Sequence, residues 1–166
     1  SSLNRPSQII DLIGKKASLR YEFICGVAIA NKFKDTKTIA NCKTDSFGWP
    51  IGYASGLKGT KTGADIECFE LNMNFIIEPS RGTSKTEQFR ECYSIEEHLE
   101  VFEKQEKKVA KSFFIAPSLT QRVERFAKFL EWELGSPVMK NLTTEDFIDL
   151  LESKNSLEEI FNAVNL

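Results

Sequence analysis

The spacing of apolar residues along this chain changes period several times, and each change marks the boundary of an element. Over residues 18–33, Leu19, Phe23, Gly26, Val27, Ala30 and Phe33 recur close to every 3.6 positions, which predicts a helix with one buried stripe. A shorter helix is predicted over 7–14. Residues 38–43 read as an edge strand, and 44–63 as a loop punctuated by Gly48, Pro50, Gly52 and Gly59. Residues 64–70 and 73–78 are short runs rich in Ile, Phe and Cys, the pattern of two strands. A polar loop over 81–86 leads into one long amphipathic helix over 87–109. Phe113, Phe114 and Ile115 then lie in a buried strand over 111–116, which Pro117 ends. Three further helices are predicted over 119–134, 144–152 and 156–165, with Thr144 and Ser156 as N-caps. Ser156 and Glu159 fit a capping box, in which two orphan backbone donors are satisfied reciprocally. Short strands followed by helices predict an α/β or α+β layer fold, a small mixed sheet flanked by helices.

Composition narrows this picture. At 166 residues, 41% hydrophobic and 28% charged, the chain suits one ordinary globular domain spanning 1–166, and no repeat or linker divides it. Thirteen phenylalanines against three tyrosines predict a dry aromatic core. Neither a signal peptide nor a long uncharged apolar run is present, so the expectation is a cytoplasmic protein with no membrane partner. Cys25, Cys42, Cys68 and Cys92 contain no CxxC pair, which argues against zinc and for four reduced thiols. Ser1 is not a methionine, and the chain is therefore expected to be excised from a larger protein or to act as a catalytic subunit. A net charge of −2 argues against a surface that binds a polyanion over its whole extent. It leaves room for local contacts from Lys58, Lys61, Arg81 and Lys85.

The candidate chemistry lies in the paired strands. The midpoint of Asp65 and Glu78 falls between Leu71 and Asn72, where a hairpin would turn. A hairpin centred there sets Asp65 opposite Glu78, Glu67 opposite Ile76 and Phe69 opposite Asn74. Cβ atoms so opposed lie roughly 4.5–5.5 Å apart, and like charges at that distance destabilise a sheet. A divalent cation between them removes the repulsion, and oxygen-only ligands suit Mg2+ or Mn2+. The alternative is two surface acids in a different register. Glu78 weighs against that alternative, because a carboxylate ending the apolar run Phe75-Ile76-Ile77 is costly unless paired or ligating. On the following helix, Gln88, Glu91, Ile95, His98, Leu99 and Phe102 recur every three or four residues and share one face. Packed on the sheet, that face carries Gln88, Glu91 and His98 inward. Read alone, His98 is more simply a core residue bonded to a backbone carbonyl.

An ordered set of residues is more specific than any one of them. It runs Glu22-Phe23 on an early helix, Asp45-Ser-Phe-Gly-Trp-Pro-Ile-Gly, Gly63-Ala-Asp-Ile, Ile76-Ile-Glu-Pro-Ser, Glu87-Gln, Glu91 and His98-Leu. The spacing from Asp65 to Glu78 equals that from Glu78 to Glu91. From about Glu22 to Pro117 the chain resembles the cleavage domains of AlwI-type type IIS restriction endonucleases and their nicking relatives, within the PD-(D/E)xK nuclease superfamily. The resemblance implies a restriction-endonuclease-like core in a bacterial cytoplasm, with Asp65 and Glu78 as central metal ligands. Glu91 and Glu22 would complete the acidic cluster, and Gln88 or His98 would assist catalysis. The implied reaction is Mg2+-assisted hydrolysis of a phosphodiester in double-stranded DNA, with Mn2+ able to substitute. It also implies a separate domain or subunit that reads the DNA site, and a second nuclease domain for double-strand cleavage.

The chain departs from that pattern in places. Ser80 stands where the wider superfamily carries its lysine, Phe23 replaces a tryptophan, and Glu97 replaces the arginine expected before His98. Pro79 is expected to interrupt the hydrogen bonding of the catalytic strand. No element resembles a DNA reader, and the C-terminal helices are acidic. Two other functions fit the sequence: a repair or recombination nuclease of the same superfamily, and a non-catalytic module that keeps the fold and dimerises through its helices. The intact set of acids argues against the latter.

Overall fold

A computed structural model describes residues 6–164, with side chains from residue 17 onward apart from Leu57. In chain order the elements are α1 (Pro6–Lys32), β1 (Lys37–Ala40), β2 (Cys42–Thr44), β3 (Pro50–Tyr53), β4 (Ile66–Phe69) and β5 (Asn74–Pro79). They continue with α2 (Lys85–Tyr93), α3 (Ile95–Glu106), β6 (Ala110–Ala116), α4 (Gln121–Leu134), β7 (Met139–Thr143), α5 (Thr144–Ser153) and α6 (Leu157–Ala163). Five strands form one mixed sheet in the order β1-β4-β5-β6-β7, antiparallel through β5 and parallel from β5 to β7. β2 and β3 form a separate two-stranded ribbon. The architecture is the expected small mixed sheet flanked by helices.

Helices cover both faces of the sheet, and this explains why its central strands read as continuous apolar runs. Phe75, Ile77, Phe113 and Ile115 pack toward α1, α5 and α6, while Ile76 and Phe114 pack toward α2, α3 and α4. The phenylalanines do form an aromatic core: Phe75 stacks on Phe113 at 5.6 Å, and Phe161 meets Phe113 edge-on at 5.6 Å. All four cysteines are free. No described helix is long and apolar enough to cross a membrane.

The β4–β5 hairpin has the anticipated register, with Glu67 paired to Ile76 and Phe69 to Asn74. Asp65, one residue before β4, continues that register toward Glu78. Pro79 does not break the strand. β5 runs through it, and Ser80 N–H still donates to Ile115 O at 2.7 Å. Backbone donors alternate sides along a strand, so the proline's missing N–H falls on the side where β4 has already ended.

Several boundaries differ from expectation. The two helices predicted over 7–14 and 18–33 are one, because Lys15, Lys16 and Ala17 favour helix and Gly14 alone is a weak interruption. The single helix predicted over 87–109 bends at Ser94, whose hydroxyl donates back to Glu91 O at 3.0 Å and competes with the helical ladder. The glycine-rich stretch contains β3. β7 was hidden by Lys140 and Asn141, polar residues in a strand; Lys140 is 7% exposed, with its ammonium over the Phe161 ring at 5.5 Å. Thr143, one residue earlier than expected, caps α5 by accepting from Asp146 N. Ser156 caps α6 as predicted, but Glu159 reaches Asn155 N instead of closing the box on Ser156. The last predicted helical residue, Asn165, lies outside the described residues.

Candidate metal centre

The open end of the β4–β5 hairpin forms the floor of a cleft of about 290 Å³, with Glu22, Tyr53, Asp65, Glu78, Glu91 and His98 among its walls. Each acid arrives on a different element. β5 carries Glu78 at the end of an apolar strand, where it is 7% exposed. The hairpin register sets Asp65 beside it, close enough for each carboxyl to shift the other's pKa. α1 packs on β1 and β3 and delivers Glu22 from the edge of its apolar stripe. Glu91, on the last turn of α2, stands at the exposed rim beside the Ser80 hydroxyl.

The carboxyls repel one another, and Glu78 at the back of the cleft is buried from water. Burial, then the charge of Glu78, pushes Asp65 up to about 9. Burial and Asp65 push Glu22 up to about 8. Burial raises Glu78 to about 8 even though Asp65 pulls the other way. Glu91 is raised too, by burial first. Among the described residues, no lysine or arginine lines the cleft. Ser80, at the place of the superfamily lysine, is buried and accepts from Gly82 N at 2.9 Å.

Neutral donors hold the acids in place. His98 Nδ1 lies 2.8 Å from Glu78 Oε1. Burial pulls the His98 pKa down, which favours the neutral imidazole. His98 is thus not bonded to a backbone carbonyl, the simpler expectation. Tyr53 Oη–H donates to Glu22 Oε1 at 3.2 Å. Behind the cleft, fully buried Glu67 accepts from Thr62 N at 2.9 Å and holds down the loop that leads to Asp65. Gly63 on that loop has φ +87°, and a Cβ there would stand 3.4 Å from His98 Nε2.

Of the residues expected at a site, Glu22, Asp65, Glu78, Glu91 and His98 meet in the cleft. Gln88 does not line it. It is fully buried, donating to Gly82 O at 2.8 Å and Ser118 O at 2.6 Å and accepting from Thr120 N at 3.0 Å. That side chain ties together the loops after β5 and β6. Lys58, Lys61, Arg81 and Lys85 are exposed and lie off the cleft wall, with Lys61 paired to Glu106 at 3.5 Å. Tyr53 and Glu67 were missed. The signal for Tyr53 was the alternation Trp49, Ile51, Tyr53 inside a stretch dominated by glycine; for Glu67 it was an acid on the same strand face as Asp65.

Among solved structures, the chain is similar to the small subunit of the heterodimeric restriction endonuclease R.BspD6I, at 20% identity and a TM-score of 0.68. The likeness covers 93% of this chain and 86% of that one. The fold is shared with a restriction endonuclease subunit. No family model matches the sequence, and no curated protein matches it.

Among the described residues, no three His, Cys, Asp or Glu side chains are grouped closely enough to hold a metal ion as they stand. The carboxylate oxygens of the cleft, with no lysine or arginine among its described lining residues, nevertheless fit a hard divalent cation better than an organic cofactor.

Proposed function

We propose that this chain is a metal-dependent endonuclease domain that hydrolyses phosphodiesters of double-stranded DNA. The observation that carries the reading is the Asp65–Glu78 pair, with Glu78 buried, Glu22 and Glu91 lining the same cleft, and no lysine or arginine among its described lining residues. Asp65 and Glu78 would hold Mg2+ or Mn2+, assisted by Glu91 and Glu22. When bound, the cation supplies Lewis-acid activation of water and neutralises charge developing on the phosphate.

The chain's own residues bind and orient. His98 fixes the rotamer of Glu78, Tyr53 that of Glu22, and the Ser80 hydroxyl steadies Glu91. The apolar strand beneath Glu78 keeps bulk water from the back of the site. In this reading the domain is a type IIS or nicking cleavage module of the AlwI type, and sequence recognition belongs to another domain or subunit. The fold shared with one subunit of a heterodimeric restriction enzyme supports that division. A single such site cuts one strand, so a second nuclease domain completes a double-strand break.

The test is a time course on supercoiled plasmid with Mg2+, Mn2+ or chelator. Nicked circles should accumulate before linear DNA, at a rate that falls with salt. Cleavage that survives the chelator, or no cleavage at any protein concentration, overturns the reading. Tight binding to one short site with direct conversion to linear product would show that the chain reads its own target.

A further inference from the structure

The β2–β3 ribbon ends in a tip whose aromatic residues face water. Phe47 is 86% exposed and Trp49 66%, and behind them on β3 Ile51 and Tyr53 are 49% and 52% exposed. Trp49, just before β3, and Ile51 and Tyr53 along it are all exposed, and the pairing of β3 with β2 has a bulge at Ile51. This exposed run begins at the acidic cleft, where Tyr53 is bonded to Glu22, and leads outward to the tip. At roughly 3.3 Å per residue, Trp49 lies about 13 Å along the strand from Tyr53.

The tip is held rigidly. One oxygen of Asp45 accepts from both Phe47 N and Trp49 N, each at 2.9 Å. Asp45 N donates to Trp49 O at 2.9 Å, Gly48 N donates to Asp45 O at 3.1 Å, and Gly48 takes the left-handed φ of +84° that this turn needs. Two large rings presented to solvent by a pinned turn cost little further entropy on binding, which is the condition for a contact anchor. Position selects the partner: the ribbon is neutral, with Lys43 its single base and Asp45 its single acid, and its strand β3 reaches the cleft in which the proposed substrate lies.

We infer that Phe47 and Trp49 pack against the bases of duplex DNA lying across the cleft, about four base-pair steps from the cleaved phosphate at about 3.4 Å per step. This rests on the nuclease reading, because it takes the cleft as the place where the phosphate is cut. The rings act as a wedge that seats the duplex; they do not touch the reacting atoms.

The test uses the full chain carrying Trp132→Phe, which leaves Trp49 as its single tryptophan. A short duplex is titrated in Ca2+, with binding followed by anisotropy of the labelled DNA and by Trp49 emission. Emission should be quenched in step with binding, and Phe47→Ala and Trp49→Ala should each weaken binding roughly tenfold. Circular dichroism should be unchanged, because both rings are exposed. Constant Trp49 emission at saturating DNA, or alanine variants that bind and nick like wild type, overturns the inference while leaving the nuclease reading intact. Absence of Mg2+-dependent nicking by the wild type overturns the nuclease reading, whatever Trp49 reports. Loss of self-association in the alanine variants with DNA binding unchanged would assign the tip to a protein contact and overturn the inference as well.

Discussion

Strand β4 has an acid just beyond each end, and the two are treated oppositely. At the turn end, Glu70 accepts from Thr36 Oγ1 at 3.0 Å, Leu157 N at 2.8 Å and Glu158 N at 3.1 Å, so its carboxylate joins the sheet to the N-terminus of α6. At the open end, Asp65 meets other carboxyls, and His98 is the one basic side chain among the described lining residues. The hollow beside Glu70 is the larger, about 460 Å³ against about 290 Å³. Size therefore does not mark the functional end. What distinguishes the open end is a cluster of carboxyls whose pKa values are raised by burial and by one another.

Substitution should separate the two ends most sharply. Asp65→Ala and Glu78→Ala are each expected to lower plasmid cleavage by a factor on the order of 10² or more with the fold intact. Glu70→Ala should cleave like wild type but unfold about 1–2 kcal/mol more easily in urea, because a cap and a tether are lost. Cleavage within about tenfold of wild type in either strand variant would erase the distinction.

Gln88 belongs with Glu70, as a polar group whose partners are all internal. Gln88→Ala leaves two carbonyls and one N–H without their partner, and should cost roughly 2–3 kcal/mol in a denaturant melt. A stable Gln88→Ala protein that no longer cleaves would move Gln88 into the catalytic set.

At the open end, Glu91→Gln should weaken binding of Mn2+ or Ca2+ about tenfold by calorimetry, with Glu22→Gln having the smaller effect. Equal affinity in Glu91→Gln and wild type removes Glu91 from the ligands.

The smallest effect is on pH dependence. Glu22, Asp65 and Glu78 are raised in the folded chain, so their contribution to stability is fully present below the unfolded carboxylate value of about 4. It is lost as pH rises through about 8 to 9. Without divalent cations the melting temperature should fall by several degrees across that window. Added Ca2+ should restore it, and more at pH 8 than at pH 5, since protons and cation compete for the same oxygens. A flat profile, or equal Ca2+ stabilisation at both pH values, would show that the acids do not repel one another.

What the sequence by itself determined is the hairpin and its consequence. Alternation with period 2 and a midpoint at Leu71–Asn72 are local, and together they set Asp65 toward Glu78 without knowledge of any other segment. The helix face carrying Glu91, Ile95 and His98 was legible for the same reason, a period of 3.6. Only the tertiary structure decided what those groups meet. Glu22 sits at the edge of a helical stripe, and nothing local distinguishes a solvated acid there from one pressed against Asp65 by the packing of α1 on β1 and β3. His98 and Gln88 share an inward face, yet one reaches Glu78 and the other closes on three loop backbones, because the helix bends at Ser94 between them. β3 and β7 were invisible because glycine, lysine and asparagine lack strand propensity, and only pairing with β2 and β6 makes them strands. Periodicity records which way a residue faces. The free energy of a carboxyl depends on the solvent and charges it then finds there, and these come from segments far away in the chain.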